Sequence, residues 1–122
     1  MVVVNWNRKE LLRACLASLA RQRRVEHETI VVDNGSSDGS AEMADGEFGA
    51  RVIRNSDNRG FCAANNQGIA AARGEFVALL NNDAEAEPES AWVASARPGH
   101  TYPDGRPSRP GRSAWRASGL PR

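Results

Sequence analysis

Four clusters of polar side chains in this 122-residue chain each follow a short hydrophobic run, at residues 5–7, 33–40, 55–60 and 81–83. They are rich in Asn, Asp, Ser and Gly. Carboxylate and amide groups can hydrogen-bond the polar edges of a nucleotide, and their oxygens can also bind hard cations such as Mg²⁺. The same residue types are common in ordinary turns. The clusters therefore predict either a polar binding site or plain loops.

Two acids in these clusters have a specific chemical alternative to a turn role. Asp33 ends a hydrophobic run, where its carboxylate could accept hydrogen bonds from a nucleobase edge. Asp83, with Asn81 before it and Glu85 close by, could bind a divalent ion that bridges the phosphates of a nucleotide. Residue type and spacing leave the turn role and the binding role open for both acids.

The segment that starts at Asn34 is a near miss to an EF-hand calcium loop. Ser36, Asp38, Gly39 and Asp45 fall at its third, fifth, sixth and twelfth positions. However, its first residue is Asn, its last is not Glu, and a β-branched run precedes it where an EF-hand has a helix. A calcium-binding module is therefore the weaker alternative.

Several other catalytic and cofactor patterns are missing from the sequence. It has no G-x-G-x-x-G fingerprint, no P-loop and no G-x-S-x-G nucleophile elbow. His27 and His100 lack metal-ligand spacing, and Cys15 and Cys62 make neither a disulfide framework nor a zinc ribbon. The hydrophobic runs are too short to span a bilayer. We expect a protein without a transmembrane segment, in the cytoplasm or at the inner face of the membrane.

The segments around the polar clusters alternate between strand and helix patterns. Hydrophobic, largely β-branched runs predict strands at 2–4, 29–32, 51–54 and 76–80. Helical spacing predicts helices after residue 7, over 41–48, over 61–73 and from residue 88.

Individual residues mark the expected ends of these helices. Asn7 is the predicted N-cap of the first helix, and Glu10 three residues later completes a capping-box spacing. Gly74 is expected to end the third helix. Pro88 suits the first turn of a fourth helix, which would carry Trp92 inward.

Strands that alternate with helices predict an α/β fold with a mostly parallel sheet, right-handed crossovers and helices on both faces. In such sheets ligands bind beyond the carboxyl ends of the strands. All four polar clusters lie at such ends. They are therefore expected to form one site.

The charge distribution divides the chain near Arg97. Ten basic and fourteen acidic side chains give residues 1–96 a charge of −4, whereas six arginines and one acid give residues 97–122 a charge of +5. Five of the six prolines also lie in this last stretch, which has little to bury. We predict a folded domain over 1–96 and a disordered tail over 97–122. A basic arm and a frameshift product are alternatives for the tail, and we expect no nucleic-acid partner.

Four motifs in order make the chain resemble the family 2 glycosyltransferases of the GT-A fold, and most closely their rhamnosyltransferase-like branch. The motifs are NWNR at 5–8, VVDNGSSDGS at 31–40, NSDNRGFCAANNQG at 55–68 and LLNND at 79–83. The resemblance implies a Rossmann-like nucleotide-diphospho-sugar transferase half-domain over 1–96.

The resemblance also implies a role for each matching residue. Trp6 matches the aromatic that packs on the nucleobase, and Asp33 matches the carboxylate that reads the base. Residues 81–83 stand in place of the family's D-x-D motif for Mg²⁺ or Mn²⁺, from which Asn81 departs and in which Asp83 is the retained acid. The implied nucleotide-sugar-binding residues are Asn5, Trp6, Asn7, Asp33, Asn34, Asn58, Arg59, Gly60, Asn65, Asn66 and Asn82, and the implied metal ligands are Asp83 and Asn81.

The resemblance implies transfer of a sugar, with inversion, from a dTDP- or UDP-sugar to a hydroxyl of a saccharide or lipid-linked acceptor, in cell-wall or polysaccharide synthesis. Family members are considerably longer, and their later half carries the acceptor pocket and the general base. We therefore expect no catalytic residue in this chain and no transfer by the chain alone. The alternative is a non-catalytic fragment that binds the nucleotide sugar.

Overall fold

The computed structural model describes residues 1–23 and 25–89, together with the backbone of residues 115–117. The elements follow one another as strands and helices: β1 (Val2–Asn5), α1 (Lys9–Ala20), β2 (Ile30–Asp33), α2 (Ser40–Phe48), β3 (Arg51–Arg54), α3 (Phe61–Ala71), β4 (Leu79–Asn81), β5 (Ala84–Ala86) and β6 (Trp115–Ala117). The first four strands form one parallel sheet in the order β3-β2-β1-β4. The α/β prediction is confirmed.

The two central strands, β1 and β2, are covered on both faces. Val3 and Val31 pack with Leu12 and Leu16 of α1 on one face. Val2, like Ile30 and Val32, faces α3 on the other. This double burial explains why the β1 and β2 sequences are apolar rather than alternating.

Helix α3 lies unusually close to the sheet at Gly68. A Cβ built on this glycine would be 2.3 Å from Cγ1 of Val2, which has no exposed surface. Glycine at this point allows the helix to approach the central strand. This close approach sets the distance between α3 and the sheet, and it thereby helps to position Phe61, the first residue of the helix.

The prediction that Asn7 caps α1 is wrong. The helix begins at Lys9 after Arg8, whose backbone is left-handed, and no side chain of its own caps it. The Lys9 amide instead donates to Asp38 Oδ2 at 2.9 Å. Asn7 Oδ1 accepts from the Ser37 amide at 3.0 Å. A carboxylate distant in sequence therefore replaces the capping box.

The third helix ends earlier than predicted, so Gly74 is not its stop. The chain leaves the helix at Ala72, which is extended. Arg51 donates to the carbonyl of Ala71 at 2.8 Å, and the Arg73 amide donates to Glu28 Oε1. These contacts take up backbone groups that a longer helix would use itself.

The region after α3 also differs from expectation. Strand β4 begins at Leu79 rather than at residue 76, because only Ala78 and the residues after it pair with β1. Strand β5 was not predicted, and it pairs with β6 in antiparallel fashion. Strand β6 falls within the segment expected to be a disordered tail, and the boundary near 97 stays a prediction.

The helix expected from Pro88 and the placement of Trp92 lie outside the described residues. None of the described helices has the length and hydropathy needed to cross a membrane.

Candidate functional site

The order of the sheet creates a crevice at its carboxyl edge. From β1 the chain proceeds to β2 and β3 on one side, and β4 lies on the other side of β1. Ligands bind at such a switch point in open α/β sheets. A pocket of about 300 Å³ lies there, lined by Val4, Trp6, Arg8, Asn34, Asn58, Phe61, Asn81, Asn82 and Asp83. Each of the four polar clusters contributes to this lining, as expected for one site.

Two aromatic rings form part of the wall of the pocket. Trp6 follows β1 and Phe61 is the first residue of α3, and they are 54% and 58% exposed. Apolar rings with this exposure are accessible to a ligand in the pocket. Trp6 was predicted from the sequence, whereas Phe61 was not singled out. Its signal would have been an aromatic directly after the Gly60 turn that starts the helix.

Asp33 lies beside the pocket rather than on its surface, because its own loop surrounds it. The residue is 3% exposed. Its Oδ1 accepts from Ser36 Oγ at 2.6 Å and from Asn5 Nδ2 at 3.1 Å, and its Oδ2 accepts from the Ser36 amide at 2.9 Å. These bonds hold the loop in shape. The next residue, Asn34, lines the pocket.

The turn between β1 and α1 is conformationally strained. Asn7 and Arg8 both have positive φ angles, 54° and 60°, which non-glycine residues seldom adopt. The Asn7 amide donates to Ser36 Oγ at 2.7 Å, and the amide of Lys9 bonds Asp38. The loop after β2 thus holds this turn, and the turn directs Arg8 into the lining of the pocket. Sequence reasoning did not assign Arg8 a role, because its placement depends on this left-handed turn.

Asp38 holds the starts of two helices at once. Besides the Lys9 amide, it accepts from the amide of Ser40, at 3.0 Å, and from the Ser40 hydroxyl. Burial raises the pKa of Asp38, but the bonds from Ser40 and Lys9 outweigh it and hold the pKa below its ordinary value. The carboxylate oxygens of Asp38 are therefore bonded to the starts of α1 and α2. Asp45, the twelfth position of the EF-hand pattern, lies within α2 rather than in a loop. The described residues contain no group of three or more acids, histidines or cysteines that could hold a metal, so the calcium-loop alternative gains no support.

A chain of side-chain amides supports the wall next to Asn34. Asn34 Nδ2 donates to Asn58 Oδ1 and to the Gly60 carbonyl, both at 3.3 Å. Asn55 Nδ2 donates to Asn34 Oδ1 at 2.9 Å. Asn55 and Gln67 of α3 also exchange two hydrogen bonds, of 2.8 and 2.9 Å. The loop after β3 is thereby fixed both to the loop after β2 and to α3.

The remaining predicted residues do not line the pocket. Arg59 Nε lies 3.7 Å from Asp57 Oδ1 on the surface. Asn65 is buried and donates to the carbonyl of Phe61 at 3.1 Å. Asn66 is exposed on α3. Gly60 precedes α3 with a φ of 84°, and its amide donates to Asn58 Oδ1.

Asp83 is the single carboxylate among the described residues that line the pocket, and Asn81 and Asn82 stand beside it. Carboxylate and amide oxygens suit Mg²⁺ or Mn²⁺, and Mg²⁺ commonly binds through one or two carboxylates together with phosphate oxygens of a substrate. Asp83 and Asn81 therefore fit such an ion as part of a nucleotide complex, but not as a cage that holds it without the phosphates.

Cys15 of α1 lies next to the end of β4, where its Sγ is 3.7 Å from the carbonyl oxygen of Asn81. Burial raises the pKa of its thiol to about 12, and the negative charges of Asp83 and Glu85 add to the shift. The thiol is therefore protonated and acts as a weak donor to the backbone at Asn81. Cys62, in contrast, is exposed on α3.

Comparison with known proteins places this geometry in context. A family model described as "Glycosyl transferase family 2" matches residues 1–94. EpsH of Bacillus subtilis, which is named as a glycosyltransferase, is 38% identical over 95 residues, which cover 73% of this chain and 27% of EpsH. Glycosyltransferase GlyG of Streptococcus pneumoniae is 31% identical over 87 residues, 68% of this chain and 29% of GlyG. The chain thus spans little more than a quarter of the length of these relatives.

Solved structures show the same fold. Residues 1–349 of TarS from S. aureus, crystallised in complex with UDP-GlcNAc, match with a TM-score of 0.68 and 27% identity over 77% of this chain and 29% of that one. A mannosyltransferase of Pyrobaculum calidifontis, in complex with GDP-Man and Mn²⁺, matches with a TM-score of 0.62 and 24% identity over 70% of this chain and 27% of that one. The likeness to the mannosyltransferase shows the fold alone.

Proposed function

Since this chain belongs to glycosyl transferase family 2, we propose that its pocket binds the nucleoside diphosphate portion of a sugar donor, as a dTDP- or UDP-sugar. The observation that carries the proposal is the convergence of all four polar clusters on one pocket at the switch point of the sheet. The UDP-GlcNAc complex of TarS supports the choice of ligand class. We also propose membership of the rhamnosyltransferase-like branch, because the motif Asn81-Asn82-Asp83 resembles that of the branch.

In this proposal the nucleobase occupies the part of the pocket lined by Trp6, Phe61 and the loop after β2, here called the base end. Trp6 and Phe61 offer exposed rings for stacking, and Asn58 offers an exposed amide group in the pocket lining. Asn34 is buried and acts here by holding Asn58 through a hydrogen bond. Asp33 contributes by holding the loop, and a direct bond from the base to its carboxylate stays a prediction.

We assign the diphosphate to the part of the pocket lined by Arg8 and Asp83, here called the diphosphate end. The Arg8 guanidinium can form paired hydrogen bonds to phosphate oxygens. A divalent cation held by Asp83 and Asn81, when bound, would neutralise phosphate charge as the nucleotide leaves the sugar. Asn82 holds the turn in place through its bond to Asn5.

Sugar transfer itself needs a general base and an acceptor pocket. Among the described residues, the pocket holds one carboxylate, Asp83, and we assign it to the cation. We therefore propose that this stretch binds the donor and that the acceptor and base are supplied by the further length present in its relatives. The same observation favours donor binding without transfer as the activity of the 122-residue chain.

Nucleotide-dependent stabilisation tests the proposal. The melting temperature of the purified chain is measured with UDP, dTDP, GDP or ATP at millimolar concentration, with Mn²⁺ or with EDTA. We expect UDP or dTDP to stabilise the fold by about 2.7 kcal/mol at a hundredfold excess over Kd, with the larger effect in Mn²⁺. A folded sample whose melting temperature responds to none of the four nucleotides would rule out the donor site.

Two charge-removing variants test the assignment of the diphosphate end. Asp83→Ala should abolish the gain from Mn²⁺, and in EDTA it should not weaken binding, because it removes a negative charge beside the diphosphate. Arg8→Gln should weaken binding in both conditions, by about 1.5–3 kcal/mol for a charged hydrogen bond. Matched controls are Asp45→Ala and Arg21→Gln, which remove the same charges outside the pocket. Equal effects of Arg8→Gln and Arg21→Gln would show that only overall charge matters.

A further inference from the structure

Asn5 is the last residue of β1, one of the two central strands, and has no exposed surface. It pairs in register with Asp33 of β2, while the residue before it pairs with Asn81 of β4. The side chain therefore lies between the loop that follows β2 and the turn that follows β4. Buried in this way, it can influence a bound ligand only through its neighbours.

Its amide uses both of its ends. Nδ2 donates to Asp33 Oδ1 at 3.1 Å and to Ser36 Oγ at 3.3 Å, on the side of the β2 loop. Oδ1 accepts from Asn82 Nδ2 at 2.9 Å, on the side of the β4 turn. Ser36 in turn holds the strained turn at Asn7. One buried amide thus joins the two halves of the pocket.

An amide is suited to this position because it carries a donor and an acceptor on one rigid plane. A carboxylate would lack the donor that Asp33 needs, and an aliphatic side chain would lack both. Buried polar networks hold one geometry only while every member is satisfied. We propose that Asn5 is a positioning residue that couples the loop after β2 to the turn after β4, so that the base end and the diphosphate end of the pocket keep one relative placement.

Hydrogen exchange of the ligand-free chain tests the coupling itself. The reporter is the Ser36 amide, which is bonded to Asp33 and lies across Asn5 from Asn82. Asn82→Ala should speed its exchange by about fivefold, the effect of one ordinary hydrogen bond on an equilibrium. Glu85→Ala, an exposed substitution in the next strand, is the control and should leave the exchange unchanged.

The decisive comparison repeats Asn82→Ala in a chain that already carries Asn5→Leu. We expect no further change at Ser36, because the connection is gone. Asn5→Asp is the second variant, in case Asn5→Leu does not fold. It keeps the size and the acceptor for Asn82 but sets an oxygen against Asp33, and it should also uncouple the two sides. An effect of Asn82→Ala on Ser36 that persists at full size in both backgrounds, or is missing from the unsubstituted chain, would overturn the proposal.

A ligand measurement extends the test and rests on the proposed function. UDP affinity is measured by calorimetry with Mn²⁺ and with EDTA. Asn5→Asp should weaken UDP binding in EDTA and also reduce the gain from Mn²⁺, each by about fivefold, whereas Asp83→Ala should remove only the gain. A folded Asn5→Asp chain with both quantities unchanged would also overturn the proposal. If the unsubstituted chain does not bind UDP, the donor site fails, and the exchange result still decides whether Asn5 couples the loops.

Discussion

Replacing Gly68 by Ala in α3 should destabilise the fold, although alanine is the better helix former. In an exposed helix the change from Gly to Ala stabilises by about 0.5–1 kcal/mol. Here the new Cβ would be 2.3 Å from Val2 Cγ1 and 3.2 Å from Cγ2, whereas carbon atoms pack at about 3.5–4.0 Å.

The neighbour cannot easily give way. Val2 is fully buried in β1, which is held by β2 on one side and β4 on the other, and valine has few rotamers. Overpacking of a core costs about 1–3 kcal/mol, so after the helix-propensity gain is subtracted the net loss expected for Gly68→Ala is about 0.5–2 kcal/mol.

Urea unfolding followed by circular dichroism measures this loss against a matched control. Gly46 lies in α2, where an added Cβ would meet nothing within 4 Å and φ is not positive, so Gly46→Ala should stabilise. In a Val2→Ala background the penalty of Gly68→Ala should shrink or change sign, because the clashing methyl groups are absent. Stabilisation by Gly68→Ala equal to that by Gly46→Ala would show that α3 does not pack against β1 as described.

Three further outcomes are expected. Asp38→Ala should lower the free energy of unfolding by about 1–2 kcal/mol in the same assay, because two helix starts lose a hydrogen-bond acceptor. The variant should also lose less stability than the unsubstituted chain as the pH falls through the lowered pKa of Asp38, and an unchanged loss at acid pH would contradict the capping role. A thiol reagent should label Cys62 in the folded chain and Cys15 only after unfolding. The raised pKa of Cys15 should also make stability decline with rising pH between about 9 and 12, by on the order of 1 kcal/mol per pH unit, and this decline should be absent from Cys15→Ala. Gly35→Ala should destabilise by about 1–3 kcal/mol, because its φ is +77° and a Cβ would lie 3.1 Å from the Asp57 backbone; a neutral effect on unfolding would contradict this geometry.

The hydrophobic runs made the strands predictable: β1 and β2 are apolar because both of their faces are covered, whereas the edge strand β3 keeps only Val52 and Ile53 between two exposed arginines. Strand β2 and strand β3 lie within one residue of the predicted runs. The convergence of the polar clusters followed from the same argument, since the carboxyl ends of parallel strands share an edge. The order β3-β2-β1-β4, which sets where the pocket lies along that edge, was not predicted.

Other features depend on contacts that no local window of sequence contains. The cap of α1 comes from Asp38, 29 residues from Lys9. Strand β5 has the sequence Ala-Glu-Ala, which has little strand preference, and its Ala86 amide is held by Ser18 Oγ of α1 at 2.9 Å. Tertiary packing thus outweighs local propensity at this point. The placement of Arg8 in the pocket likewise depends on a strained turn that the loop after β2 stabilises.

The amides that support the wall beside Asn34 give this part of the molecule an unusual indifference to solution conditions. Asn34, Asn55, Asn58 and Gln67 are joined by hydrogen bonds between uncharged amide groups. Amides do not titrate between acid and alkaline pH, and salt screens only interactions between charges. The wall that these four amides form should therefore keep its shape across a wide range of pH and ionic strength. Changes of nucleotide binding with pH or salt then reflect charged groups elsewhere in the pocket and on the ligand rather than this wall.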